Sequence, residues 1–243
     1  MSQLTIKNCT ISAEEKEVVS GASLMLKSGE IHLLMGPNGS GKSSLLNGIM
    51  GHPKYQITEG KIILDDEDIT TLATEKKARA GIFLSLQHLP AVAGVTLTNF
   101  LFRAQKNIKS SDITPLDFYT MMQSRAKEFG IDPTFLRKHL NTGLSGGEKK
   151  QSEVLQLLAL EPKFALLDEI DTGVDIDALK KLFAVILHLQ AQGVGFLLVS
   201  HHPNILTHIT PDFVHVIKDG KLVASGGREL VEKISANGFE SIT

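Results

Sequence analysis

Apolar and polar positions alternate weakly over residues 4–11, a strand pattern, and a short strand at 23–26 is its partner across a loop around 14–16. Residues 30–35 form a short apolar run that stops at Gly36, the pattern of a buried strand. Helical spacing follows at 43–50, with Leu45, Leu46 and Ile49 on one face and Gly51 as the stop. Residues 60–64 read as a strand with an acidic turn at 65–68, and 81–86 as an apolar run ending at Gln87. From 88 to 160 the texture changes: helix formers dominate, interrupted by Pro90, Gly94, Pro115, Pro133 and Gly143. Strand patterns resume at 164–167, 195–200, 213–218 and 221–225. A helix at 178–190 separates the first two, and Asp219-Gly220 between the last two suits a type I′ hairpin turn. Strand, helix and strand in that order imply parallel pairing. The pattern predicts one α/β domain: a core of 1–87 and 161–243 with an antiparallel β region at its start, and a helical subdomain, 88–160, inserted into it.

Composition narrows the classes. The chain has 243 residues, which suits one α/β domain with a lobe better than two domains. A net charge of −2, no Trp and 5% aromatics argue against a nucleic-acid or anionic-membrane partner held by bulk charge or base stacking. Cys9 is the single cysteine, so an intramolecular disulfide is impossible, which suits a reducing compartment and a cytoplasmic location. Residues 1–8 lack the apolar stretch of a signal peptide, and no apolar run approaches the ~20 residues of a membrane helix, so direct membrane insertion is not expected.

Three segments carry chemistry. Gly36-Pro37-Asn38-Gly39-Ser40-Gly41-Lys42-Ser43, followed by Ser44, fits G-x-x-x-x-G-K-[ST] between a strand and a helix, the pattern of a P-loop NTPase. Its glycines let the backbone approach phosphates closely, and its N–H groups converge on an anion at a helix N-terminus. Lys42 is placed for the β- and γ-phosphates of ATP and Ser43 for Mg²⁺. Phe164-Ala165-Leu166-Leu167-Asp168-Glu169 is an apolar strand ending in two carboxylates. Adjacent acids there are costly without a cation. Asp168 is expected to hold Mg²⁺ and Glu169 to polarise the attacking water. Leu144-Ser145-Gly146-Gly147-Glu148 contains the Ser-x-x-Glu capping box of a helix start, yet its two glycines add nothing to capping and leave bare N–H groups facing outward.

On these residues the chain resembles the ABC ATPase superfamily over essentially its full length. The phosphate loop, Gln87, Ser145-Gly146-Gly147-Glu148, Asp168 with Glu169, and a histidine after the strand at 195–200 occur in that family's order. The resemblance implies that Gln87 helps hold Mg²⁺ and belongs to the catalytic set with Glu169. It implies that Ser145, Gly146, Gly147 and Glu148 act in trans on the ATP of a second copy, in an ATP-dependent dimer. It selects His201, the residue after Ser200, as the γ-phosphate histidine over its neighbour His202. One family feature is missing: residues 10–14 carry no aromatic to stack on the base, which leaves Ile11 or Ala13, with Val18, as apolar contacts.

Within the superfamily, Lys149-Lys150, the stretch from Asp171 through Asp175 to Lys180, residues 211–216 and Gly81-Ile82-Phe83 look like the SufC family, ATPases of iron–sulfur cluster assembly. Leu86, Lys163 and Ile170 depart from that pattern. The resemblance implies SufB-like and SufD-like scaffold proteins as partners, docked on the helical lobe near Gln87. A single cysteine agrees, since cluster ligation ordinarily takes several thiolates. The alternatives are the nucleotide-binding subunit of an ABC membrane transporter and a nucleotide-gated clamp in which hydrolysis is incidental.

Overall fold

The computed structural model describes residues 1–85, 92–109, 112–140, 142–169, 176–201 and 203–242. Its first layer is an antiparallel sheet of four strands. Strands β1 (Gln3–Ala13) and β2 (Lys16–Lys27) are joined at Glu14 and Glu15, both with positive φ, in a tight turn rather than the looser connection expected. The second strand is therefore much longer than 23–26. Strand β3 (Ile31–Met35) and helix α1 (Lys42–Met50) follow, then β4 (Tyr55–Leu64) returns to pair with β1. The expected acidic turn shrinks to Asp65 and Asp66, because Glu67–Asp68 already pairs with β4 as a short strand, β5. Register slips at Asn8 and Gly60 bend the β1–β4 pair: a Cβ on Gly60 would stand 2.3 Å from the Asn8 carbonyl oxygen. A bulge of this kind interrupts period-two alternation, and of β4 the sequence showed only the half beyond it, residues 60–64.

Helix α2 (Thr74–Ala80) and strand β6 (Ile82–Ser85) lead to the segment 86–91. Beyond it come α3 (Leu97–Lys109), α4 (Pro115–Glu128), a 3-10 turn at Pro133–Arg137, and α5 (Gly146–Leu160). Thr114 caps α4 with Pro115 as its first residue, so the proline that interrupts the pattern opens a helix. Strand β7 (Phe164–Leu167), α6 (Ile176–Ala191), β8 (Gly195–Val199), β9 (Phe213–Lys218), β10 (Lys221–Gly226) and α7 (Glu229–Asn237) complete the chain.

The second sheet runs β10-β9-β3-β8-β7-β6. Every pairing in it is parallel except β9 with β10, a hairpin whose Asp219 and Gly220 both have positive φ, as a type I′ turn requires. Its central strands bury both faces. In β3, Ile31, Leu33 and Met35 enter a core shared with α3, α4, α5 and α6, while Leu34 joins a second core with α1 and the antiparallel sheet. Strands β7 and β8 alternate in the same way. Each fully buried Leu, Ile or Phe contributes about 1.5–3 kcal/mol, so both faces hold the strand ends in fixed relation. Among the described residues no helix is long and apolar enough to cross a membrane.

Candidate functional site

Strands β3, β8 and β7 lie side by side and parallel, so the residues after their last positions emerge at one edge. Open α/β sheets bind ligands at that edge. β3 delivers Gly36 and the loop to Ser43, β8 delivers Ser200 and His201, and β7 delivers Asp168 and Glu169.

The loop is shaped by what its glycines exclude. A Cβ on Gly36 would lie 2.2 Å from the Ile217 carbonyl oxygen and 2.7 Å from Ser40 Oγ, so only hydrogen fits. Gly41 caps α1 with φ +106, a left-handed conformation, and its Cα faces the Val18 carbonyl at a spacing that would put a Cβ 2.8 Å from that oxygen. The backbone of β2 and the β9–β10 hairpin clamp the loop from outside: Ser20 N–H donates to Gly220 O at 2.8 Å, and Gly220 N–H donates to Ser40 O at 3.0 Å.

Lys42 is buried, and its Nζ donates to Gly36 O and Pro37 O, each at 2.8 Å. Burial lowers its pKa, and the carboxylates of Asp168 and Glu169 pull it back up. The ammonium is thus stored at the mouth of the loop on carbonyls, which are weaker partners than phosphate oxygens. Asp168 is buried at the end of β7 and accepts a hydrogen bond from the Ser43 hydroxyl. Burial raises its carboxyl pKa, and the Ser43 hydrogen bond opposes that shift. Its Oδ1 is buried and, among the described residues, without a hydrogen-bond partner. An orphaned carboxylate oxygen costs free energy that a cation would return. Two hard oxygens from the protein, Ser43 Oγ and Asp168, suit Mg²⁺, which keeps waters and phosphate oxygens as its other ligands. The residues present therefore fit the metal and the triphosphate it accompanies.

A cavity of about 160 Å³ is lined by Asn38, Gly39, Gly41, Lys42, Ser43, Ser44 and Glu169. The structure thus brings the loop and Glu169 to one space. Glu169 has φ 45, a left-handed conformation that costs a non-glycine residue about 1–2 kcal/mol. No pattern in the sequence signals this. His201 is half-buried beside Ser200, whose N–H donates to Leu34 O at 3.3 Å in the strand that feeds the loop. Gln87 and the alternative His202 lie outside the described residues, as do 170–175.

Ser145 is the N-cap of α5, with φ −64 and ψ 169. Its hydroxyl accepts from Glu148 N–H at 3.3 Å, and the Glu148 carboxylate accepts from Ser145 N–H at 2.8 Å, a complete capping box. Lys138 also pairs with Glu148 and, with the capping hydrogen bonds, holds its carboxyl down at about 2. None of residues 145–148 lines the cavity, so within this chain the segment and the phosphate loop are not brought together.

Two further features were not legible in the sequence. Lys77 of α2 is fully buried and donates through Nζ to Ile49 O at 2.9 Å and Thr70 O at 3.2 Å, closing the C-terminal end of the phosphate-loop helix. Burial lowers its pKa to about 8. Ile11, expected near the base, is instead fully buried against α1, where a Cβ on Gly48 would lie 2.5 Å from its Cδ1, so it has no face to offer a ligand. Ala13 and Val18 are half-buried and keep theirs.

Comparison with known proteins agrees with this geometry. Residues 19–172 match the family described as ABC transporter. The chain is 43% identical to Vegetative protein 296 of Bacillus subtilis over 99% of its own length and 93% of that protein's. It is 43% identical to a probable ABC transporter ATP-binding protein of Streptococcus pyogenes serotype M18, covering 100% of this chain and 95% of that one. With a probable ATP-dependent transporter, ycf16, of Cyanophora paradoxa it shares 38% over 98% of this chain and 93% of the other. Among solved structures, a nucleotide-free ATP-binding cassette from an ABC transporter superposes with a TM-score of 0.78 at 26% identity, covering 98% of this chain and 96% of that one. From the loop that cradles a triphosphate, the paired acids beside it and relatives that match from end to end, the chain belongs to the ABC transporter family and is its ATP-hydrolysing cassette, taking ATP and Mg²⁺.

Proposed function

We propose that this ATPase drives conformational change in an iron–sulfur cluster assembly scaffold built from SufB-like and SufD-like proteins, in the cytoplasm, and that it pairs with a second copy of itself on ATP. The observation that carries the reading is the stretch after the paired acids, Asp171-Thr172-Gly173-Val174-Asp175-Ile176-Asp177-Ala178-Leu179-Lys180, together with Lys149-Lys150 after the capping box. Both look like the SufC family. With one cysteine, the chain supplies work to cluster assembly and not thiolate ligands. The core 1–87 and 161–243 is the catalytic body in this reading, and 88–160 is the subdomain that meets the scaffold.

In the chemistry proposed, the backbone N–H groups of the phosphate loop (Pro37 has none) and the Lys42 ammonium bind the β- and γ-phosphates, the lysine leaving Gly36 O and Pro37 O to do so. Ser43, Asp168 and Gln87 hold Mg²⁺, which when bound neutralises charge on the phosphate oxygens. Glu169 orients a water in line with the γ-phosphorus and accepts its proton at a carboxylate oxygen, ADP leaves, and inorganic phosphate forms. His201 contacts the γ-phosphate and holds the water and Glu169 in register. Ser145, Gly146 and Gly147 of one copy close on the γ-phosphate held by the other, with Glu148 fixing the turn. That these residues lie away from the cavity in a single chain supports the trans arrangement.

The test is co-expression of the tagged chain with SufB-type and SufD-type scaffold proteins from the same genome. A stable complex whose ATPase rate exceeds that of the free chain is expected. The names of two relatives, a probable ABC transporter ATP-binding protein and a probable ATP-dependent transporter, favour a second reading, the ATP-binding subunit of a membrane transporter. Recovery of the chain with a polytopic membrane protein, and no binding or stimulation by the scaffold proteins, would establish that reading and overturn the first.

A further inference from the structure

Every residue from Asn38 to Ser44 lines the cavity except Ser40. Ser40 is buried, and its carbonyl oxygen accepts from Gly220 N–H at 3.0 Å, on the side of the loop away from the cavity. The donor is itself held in place. Gly220 O accepts from Ser20 N–H at 2.8 Å, and a Cβ on Gly220 would stand 2.9 Å from Val18 O. The tip of the β9–β10 hairpin thus lies against the backbone of β2 with no room for a side chain between them, and from there it reaches the loop with one amide.

The peptide unit joining Ser40 to Gly41 is planar and trans. Its C=O and N–H therefore point in opposite directions. Pinning Ser40 O to Gly220 turns Gly41 N–H the other way, to the side where Gly39, Gly41 and Lys42 line the cavity. Covalent geometry alone leaves that choice open. Rotating the unit about the line between its two Cα atoms changes only ψ of Ser40 and φ of Gly41. Gly41 stands at φ +106, and a glycine takes negative φ about as readily. Rotated by half a turn, the unit would aim a carbonyl oxygen, the negative end of its dipole, at the bound phosphates. The hydrogen bond from Gly220 selects attraction over repulsion.

We propose that Gly220 is a positioning residue for nucleotide binding: by holding Ser40 O it aims Gly41 N–H at the phosphate chain, so the hairpin sets the affinity of a cavity that it does not line. The inference rests on the loop being the phosphate site. A contact made alike to bound ATP and to the transition state acts on KM and not on kcat.

The test uses the full chain with glycolic acid in place of Gly220, installed by nonsense suppression, which turns the 219–220 amide into an ester and deletes this one N–H. Steady-state ATPase kinetics should show KM for ATP raised about tenfold or more, the scale of a lost hydrogen bond to a charged group, with kcat within about twofold. Inhibition by inorganic tripolyphosphate should weaken by the same factor, because the lesion lies at the phosphates. Val223→Ala loosens the same hairpin by removing a partly buried side chain of β10 and keeps the amide, so its KM should stay within about twofold of the unaltered chain. An unchanged KM in the ester protein, a loss of kcat with KM unmoved, tripolyphosphate inhibition left at full strength, or an equal rise of KM in Val223→Ala each overturns the proposal. Unaltered ATP affinity in Lys42→Ala overturns the assignment of the loop and this inference with it. Weakened affinity in Lys42→Ala, with a normal KM in the ester protein, overturns this inference alone.

Discussion

Acidification should destabilise this protein through two buried histidines, His32 and His215, that do not line the cavity at the phosphate loop. His32 of β3 and His215 of β9 are buried side by side, with His32 Nδ1 and His215 Nε2 3.0 Å apart. His32 Nε2 is 3.1 Å from a Glu30 carboxylate oxygen, and His215 Nδ1 is 2.8 Å from Ser225 Oγ. A carboxylate only accepts, so His32 Nε2–H donates to Glu30 and His32 Nδ1 is left as an acceptor. His215 Nε2–H then donates to it, and Ser225 O–H donates to His215 Nδ1. Two neutral rings satisfy every position, and a proton added on His32 Nδ1 would confront the N–H of its neighbour. Burial and then the neighbouring His32 hold the pKa of His215 down from the usual 6.5 to about 4. Burial lowers that of His32 as well, against the opposing pull of Glu30 and Asp212. The sign follows from which state binds the proton. Between the two pKa values the unfolded chain is protonated at His215 and the folded chain is not, so this stability is fully present above pH 6.5 and is lost as pH falls toward 4. From pH 7 to pH 5 the loss from His215 alone comes to about 2 kcal/mol, rising to about 3 kcal/mol below pH 4. For a chain of this size that is a drop of about 4–8 °C in Tm. Thermal melts followed by circular dichroism at pH 7 and pH 5 measure it, on the unaltered chain and on His215→Gln, whose amide keeps a donor toward His32. His215→Gln should melt lower at pH 7 and lose less on going to pH 5. An equal drop in the two proteins would refute the argument.

Lys42→Ala should weaken ATP binding by about 10- to 100-fold, since a charge-assisted contact to phosphate is worth about 1.5–3 kcal/mol, while the fold stays intact; titration with a labelled ATP analogue reads it, and unchanged affinity would mean the loop is not the phosphate site. Glu169→Gln should bind ATP and hydrolyse it about 10²-fold or more slowly, accumulating an ATP-bound dimer visible by size-exclusion chromatography. Normal turnover would remove Glu169 from the chemistry. Mixing Lys42→Ala with Ser145→Arg, each inactive alone, should restore part of the ATPase rate, because the mixed dimer contains one composite site free of both lesions. Background activity with mixed dimers verified by crosslinking would exclude action in trans.

The central strands were legible because parallel strands buried on two faces read as plain apolar runs, as residues 30–35, 164–167 and 195–200 do. Helix α2, Thr-Glu-Lys-Lys-Ala-Arg-Ala, shows no apolar stripe at all, and one of its lysines is fully buried, so pattern alone could not find it. Strands β2 and β4 were cut short in the sequence reading by bulges that break alternation. In the site, motif spacing named the candidates, and the tertiary structure brings the phosphate loop, Asp168 and Glu169 together. Nothing local says that the Ser43 hydroxyl reaches Asp168, that Glu169 takes a left-handed backbone, or that Val18 lies over Gly41. Ile11 misled for a physical reason: the face a strand residue turns inward depends on its register against α1, which the sequence does not display.

The capping box at Ser145 has a consequence for recognition. The first turn of any helix leaves its leading amides without intrahelical acceptors. Here the box engages the amides of Ser145 and Glu148 in a reciprocal pair, and Lys138 braces the carboxylate from outside. The helix's own bonding leaves Gly146 and Gly147, consecutive, without side chains, on a turn already locked at both ends. An anion arriving there meets two donors of fixed spacing that give up no conformational freedom on binding. In the trans arrangement proposed above, capping and phosphate recognition are parts of one device: the serine and glutamate hold still the turn whose glycines meet the phosphate. Softening the brace, by removing Glu148 and leaving the glycines, shifts the cost of ordering from folding to the moment of ligand capture.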